Sequence, residues 1–311
     1  MLTLIALLPV SLAGDFGQVS LSKGAPEFTS CIASDKDTEG TCAWKFYHFL
    51  GDSMTSQGLT FSGPNAQLSS ALQDQAGWVL GARLDTFPFG PPPENLSGKA
   101  ENTQFSPVLP RLFAGRIWQG AHPASIGLSV LPPVAVGGAS ALVLGLEGGL
   151  SWQLGATRLG AGLDLGFTSA NAPITASQEQ FDDRESFDNP DNLDPDTYES
   201  VCGASEYGCL DTYRQLSVGL SALGAWSVGP IRPYARVDLR FLSSSLYVMY
   251  DDTTWTLMAL QPGVGAGAGW APISRLLLQL GGDLALQGPG QNDAGGLGLL
   301  WKLHGSASWR F

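Results

Sequence analysis

Thirteen charged side chains recur on one parity of alternating segments and mark where chemistry could occur in this chain. They are Arg83, Asp85, Glu147, Arg158, Asp164, Arg232, Arg236, Asp238, Arg240, Arg275, Asp283, Lys302 and Arg310. Basic residues outnumber acidic ones in the set. Lining an open cylinder, they would form selectivity rings with a weak preference for anions; in a narrow cylinder they would pair and fill the space. The sequence leaves both arrangements open. His304 and Ser306 share that parity and form the one nucleophile-and-base pattern, with only His48 and His122 besides. Their side chains face the same way as Lys302 and Arg310, so they read as interior groups, and no catalytic set is assigned. Gly263, Gly265 and Ala268 match a nucleotide-binding string, but no helix follows to point its N-terminus at a phosphate. They read instead as a stripe of small residues where the wall bends or another segment packs close.

Acid is concentrated elsewhere. Residues 171–212 hold most of the chain's net charge of −12. Within them Asp188, Asp191, Asp194 and Asp196, with Asn189 and Asn192, crowd oxygen atoms suited to a hard cation. The turn glycine of a dedicated calcium loop is missing, so this is a solvated acidic loop able to hold Ca²⁺ or Mg²⁺ loosely. No other cofactor is expected. The four cysteines form two close pairs, Cys31 with Cys42 and Cys202 with Cys209, in polar stretches without a histidine ligand nearby. That argues against zinc and, in an exported chain, for two local disulfides.

The elements that carry the charged set are strands. From Trp301 to Phe311, Trp301, Leu303, Gly305, Ala307, Trp309 and Phe311 alternate with Lys302, His304, Ser306, Ser308 and Arg310. An apolar and a polar face at period two define a β-strand. The same pattern runs through 275–287, 232–241, 76–85, 141–154, 157–168 and 213–229, and less cleanly through 109–118 and 124–133. Segment 253–272 changes parity between Ala259 and Pro262, which predicts a bulge there. Ten strands result, and 44–62 could add a hairpin to make twelve.

Residues 123–146 and 253–274 carry no charge and are long enough to cross a bilayer as helices. Pro132-Pro133, Gly137-Gly138 and Pro262 among alternating glycines exclude that. Connections are informative too. Short turns at Gly155-Ala156, Gly229-Pro230 and Pro272-Ile273 alternate with long polar loops at 86–105 and 171–211, as in membrane barrels. Trp152, Trp226, Trp270 and Trp309 lie near the short-turn end. Trp301 and Phe311, ten positions apart, span roughly 25 Å at about 3.4 Å per residue and a tilt near 40°.

Charged residues make up only 14% of the chain, against about 25% in soluble domains. The negative balance excludes a nucleic-acid binder. Leu2 to Val10 is apolar and is followed by Ser11-Leu12-Ala13, the pattern of an export signal over 1–13. On the alternating final strand ending in Phe311, the Gly229-Pro230-Ile231-Arg232-Pro233-Tyr234 passage and the export signal, residues 76–311 resemble the bacterial outer-membrane β-barrel proteins. That resemblance implies an all-β, antiparallel, up-and-down barrel in the bacterial outer membrane. It also implies contact with lipid and lipopolysaccharide, and Phe311 as the signal read by the barrel-insertion machinery. Residues 14–75, placed before the first strand, give a looser resemblance to FadL-type hydrophobe transporters. They are expected to form a periplasmic or lumen-filling segment, with a short helix starting at Gly63-Pro64 and running from Ala66 to Asp74. The function expected is passage of a small solute or hydrophobe; the alternative is a closed barrel that anchors surface loops. Peptide mapping without reduction should find Cys31 joined to Cys42 and Cys202 to Cys209; cross-pairs or free thiols would contradict the local reading.

Overall fold

The computed structural model describes residues 68–86, 109–136, 139–172, 200–202, 209–249, 252–287 and 298–311. Ten antiparallel strands form one closed sheet. They are β1 (Gly77–Thr86), β2 (Leu109–Trp118), β3 (Ala124–Val136), β4 (Ala139–Leu154), β5 (Thr157–Ala172), β6 (Asp211–Trp226), β7 (Ile231–Val248), β8 (Thr253–Ile273), β9 (Leu276–Gln287) and β10 (Gly298–Arg310). Each strand pairs with its sequence neighbours, and β1 closes the ring on β10 through a ladder from Val79↔Arg310 to Thr86↔Leu303. Closure leaves no edge and satisfies the backbone within the wall, the condition for crossing lipid.

The alternation read from the sequence sorts the side chains. On β6 the burial pattern alternates almost without break from Tyr213 to Gly219, with Leu216, Val218 and Leu220 exposed. Leu80, Leu128, Leu163, Val237, Met258 and Leu280 face out in the same way. So many exposed large apolar groups on one continuous surface belong against lipid, not water. Six tryptophans, at positions 78, 118, 152, 226, 270 and 309, are exposed at the short-turn end and ring the barrel there.

The structure corrects three local expectations. Pairing of β7 with β8 runs unbroken through Leu239↔Pro262, so no bulge interrupts 259–262. The described ladder to β9 begins at Gly263, so Pro262 sits where its missing N–H interrupts no bond to that strand. The register shifts occur instead at Leu131/Val134 and Trp270/Ile273, around Pro132-Pro133 and Pro272. Proline does mark the bulges, but different prolines from the one expected. Pro272 and Ile273 end β8, and the turn is made by Ser274 and Arg275. Leu68 is 3₁₀-helical, but residues 69–74 make a turn, with Leu72 N donating to Ser69 O at 3.0 Å, rather than continuing a helix to Asp74. Gly155 and Gly229, both at φ +61°, occupy tight turns where a side chain would be strained. Segment 44–62, the 63–67 part of the expected helix and the long loops at 87–108 and 173–199 lie outside the described residues.

Facing can be tested one residue at a time. Leu220→Arg, in the middle of β6 on the outer face, should cost about 2–4 kcal/mol when the protein folds into lipid vesicles. Ser221→Arg, one residue on and turned inward, should cost much less; equal damage in urea titrations would contradict the facing.

Candidate functional site

Among the described residues, the interior includes a belt of ion pairs across the middle and a stopper at the short-turn end, with a buried polar cluster of Tyr213, Gln215 and Ser244 on the long-loop side.

The belt is built from four neighbouring strands, β9, β10, β1 and β2, and from β5 and β7. Arg83 Nε on β1 donates to Asp85 Oδ1 at 2.7 Å, and Arg111 Nη2 on β2 donates to Asp85 Oδ2 at 3.4 Å. Arg83 and Arg111 are register partners, and the shared carboxylate offsets their repulsion. Asp283 on β9 is the hub. Arg236 Nη2 donates to its Oδ1 at 2.7 Å, while Lys302 Nζ, His304 Nδ1 and Arg83 Nη2 stand 3.5, 3.5 and 3.9 Å from its Oδ2. Arg236 and Arg240 on β7 flank Asp238 at 3.4 and 3.8 Å, and Arg240 reaches Asp164 on β5 at 3.8 Å. Tyr234 Oη lies 3.1 Å from His304 Nε2 and accepts from Gln279 Nε2 at 2.5 Å.

Strands between the charged ones contribute glycine. Gly219 on β6 lies between Asp164 and Arg240, and Gly265 on β8 lies between Arg236 and Asp283. A Cβ at either position would run into the neighbouring carboxylate, and one at Gly263 would come within 2.8 Å of Asp238 Oδ2. The glycine stripe therefore lets side chains from strands two apart meet over the strand between them.

The stopper is Leu68–Gln75, lying inside the mouth. Leu68 packs with Val79, Phe113 and Ile117, over wall positions Gly115 and Gly127; Ala71 and Leu72 pack with Leu223, Ala225 and Tyr234. Its polar groups are held from several strands. Ser70 Oγ donates to Pro123 O at 3.1 Å and meets Ser151 Oγ at 3.0 Å. Arg232 donates to Leu72 O at 2.6 Å, and Arg158 and Gln119 donate to Gln73 O at 3.0 and 3.2 Å. Asp74 takes Arg158 at 2.9 Å and also Arg232, and Arg310 Nη2 donates to Gln75 Oε1 at 2.8 Å. Between stopper and belt lies a cavity of about 30 Å³, lined by Leu68, Ser69, Ser125, Glu147, Ser221 and Arg236. That is room for ordered water.

The structure thus divides the thirteen residues. Arg83, Asp85, Asp164, Arg236, Asp238, Arg240, Asp283 and Lys302 form the belt. Glu147 faces the cavity beneath it. Arg158, Arg232 and Arg310 hold the stopper, and Arg275 is exposed in the β8–β9 turn. Arg111 is a belt residue that the sequence reading missed. Its inward partners on β2 are Phe113, Gly115 and Ile117, so that strand has no polar face to reveal it. With Arg111 included and the mouth arginines set apart, the described residues place five cations and five carboxylates in the central region, with no basic excess among them. The Cys202–Cys209 disulfide is formed. Cys31, Cys42 and the loop carboxylates Asp188, Asp191, Asp194 and Asp196 lie outside the described residues.

Asp283→Ala would leave Arg236 and Lys302 buried without their hub and should cost about 3–5 kcal/mol of stability. Asp74→Asn, at a half-exposed pair, should cost about 1 kcal/mol or less. Denaturant unfolding in detergent would rank the two, and a small effect at Asp283 would contradict the hub role.

No family model and no curated protein matches this sequence. Among solved structures, the translocator domain of the autotransporter NalP from Neisseria meningitidis is 12% identical with a TM-score of 0.42, over 84% of this chain and 97% of that one. The Pseudomonas putida toluene transporter TodX is 12% identical with a TM-score of 0.36, over 81% and 72%. Neisserial surface protein A is 11% identical with a TM-score of 0.32, over 76% and 100%. These structure neighbours are bacterial outer-membrane β-barrels, and the strand ladder itself establishes that this chain is a closed ten-stranded barrel.

Proposed function

We propose that this protein is a closed outer-membrane barrel that anchors the segments at its long-loop end. The observation that carries this reading is the belt: Arg83, Arg240 and Lys302 are among the most completely buried large side chains in the molecule, each beside a carboxylate. An open pore would leave such groups wetted by a water column. The stopper adds a second barrier. Exposed Phe311, at the end of β10, is available to the insertion machinery. The acidic segment 171–212 extends from the end opposite the stopper, where loosely held Ca²⁺ or Mg²⁺ would bridge it to lipopolysaccharide phosphates. In this reading His304 holds the belt together and carries out no chemistry.

A specific feature favours gated passage of a small solute or hydrophobe as the second reading. Asp74, which docks the stopper, is 41% exposed, so its pairs with Arg158 and Arg232 are screened by water and weak. Planar-bilayer recordings separate the two. The intact protein should give no conductance steps, and neither should the Arg158→Gln/Arg232→Gln variant, because the belt remains. Conductance in that variant alone would establish the stopper as a gate, and conductance in the intact protein would overturn the closed reading.

A further inference from the structure

Almost no charge interrupts the lipid-facing surface. Among the described strand residues, only Arg116 on β2 and Arg214 on β6 turn a charged group outward. Arg116 has a built environment. Its register partner on β1 is Trp78, and Trp118 lies two residues along β2 on the same face. Its guanidinium carbon stands 5.3 Å from the Trp78 ring centroid and 5.6 Å from that of Trp118. Both tryptophans belong to the ring at the short-turn end. Among the described residues no carboxylate lies within ion-pair distance of Arg116, whereas belt arginines such as Arg83 and Arg240 have one. Deeper along the same face, the small side chain of Ala114 lies between those of its register partners Leu80 and Leu128, both exposed.

We infer that Arg116, clamped between Trp78 and Trp118, is a binding site for the phosphodiester of a glycerophospholipid in the leaflet at the short-turn end. A charge on the lipid face is costly at the midplane but tolerated near the interface, which is where a tryptophan ring places it. Stacking on the two rings orients the planar guanidinium while its N–H groups stay free to donate. The two unesterified oxygens of a phosphodiester can accept a bidentate pair of N–H bonds from an arginine. The face over Ala114 would receive the first part of an acyl chain. Short turns are periplasmic in outer-membrane barrels, so the leaflet is the phospholipid one.

This inference rests on the membrane reading, and the test separates the two. Wild-type protein and variants are inserted into phosphatidylcholine vesicles, extracted, and titrated with dioleoylphosphatidylglycerol by native mass spectrometry. Wild type should retain one lipid preferentially. Arg116→Gln should lose that binding by about tenfold or more, the loss expected of a charge-assisted hydrogen-bond pair. Arg116→Lys should fall between them, and Trp118→Leu, which keeps the charge, should weaken binding in the same direction. Arg214→Gln should match wild type, and millimolar inorganic phosphate should not displace the lipid. Unchanged retention in Arg116→Gln, an equal loss in Arg214→Gln, or displacement by inorganic phosphate would each overturn the site. Failure of wild type to insert would overturn the membrane reading and the site with it.

Discussion

Ionised groups inside a closed wall must find their counterions inside that wall. Asp283 shows how far this requirement shapes the protein: three strands and two glycines are arranged so that Arg236, Lys302 and His304 converge on one carboxylate. Removing two charges from water costs several kcal/mol per ion, and only close pairing with further hydrogen bonds offsets it. The belt is therefore weak evidence for net stability and strong evidence for a defined interior. An apolar filling would satisfy burial without fixing which strand faces which.

Belt and stopper divide the interior by chemistry. The belt joins side chain to side chain, whereas the stopper is held mostly through its own carbonyls at Leu72 and Gln73 and by small apolar contacts around Leu68 and Ala71. Arginines at the mouth thus read backbone shape more than charge. Ser70, Asp74 and the two glutamines add side-chain recognition. The inner faces of β2 and β6 are apolar near the mouth because they seat this segment.

The sequence exposed the barrel clearly, because a wall with lipid on one side and charge on the other imposes period two. The strands were legible within a few residues except β7, read only to Phe241, where the consecutive Ser243, Ser244 and Ser245 put polar residues on both faces and blur the alternation up to Val248. Arg111 escaped because Phe113 and Ile117 contact the stopper rather than the belt. Proline at 262 misled for a different reason: a residue without an N–H needs a bulge only where a partner strand awaits the bond. The pairs Arg236–Asp283 and Arg240–Asp164 were the least legible, since they join strands two apart in the ring over glycines that carry no sign of their own.

Those glycines also make β8 an ambiguous strand. Gly263, Gly265, Gly267 and Gly269 present the interior with four equivalent positions, so packing alone scarcely distinguishes one register from another two residues away. Charge removes the degeneracy. In the observed alignment the row Arg236–Gly265–Asp283 brings opposite signs together. Sliding β9 by two residues one way would set Asp283 in the row of Asp238; sliding it the other way would set it beside Tyr234 and strand Arg236. The ionic belt is thus a vernier for a featureless strand, and it selects a single shear for the cylinder from several that the backbone would accept.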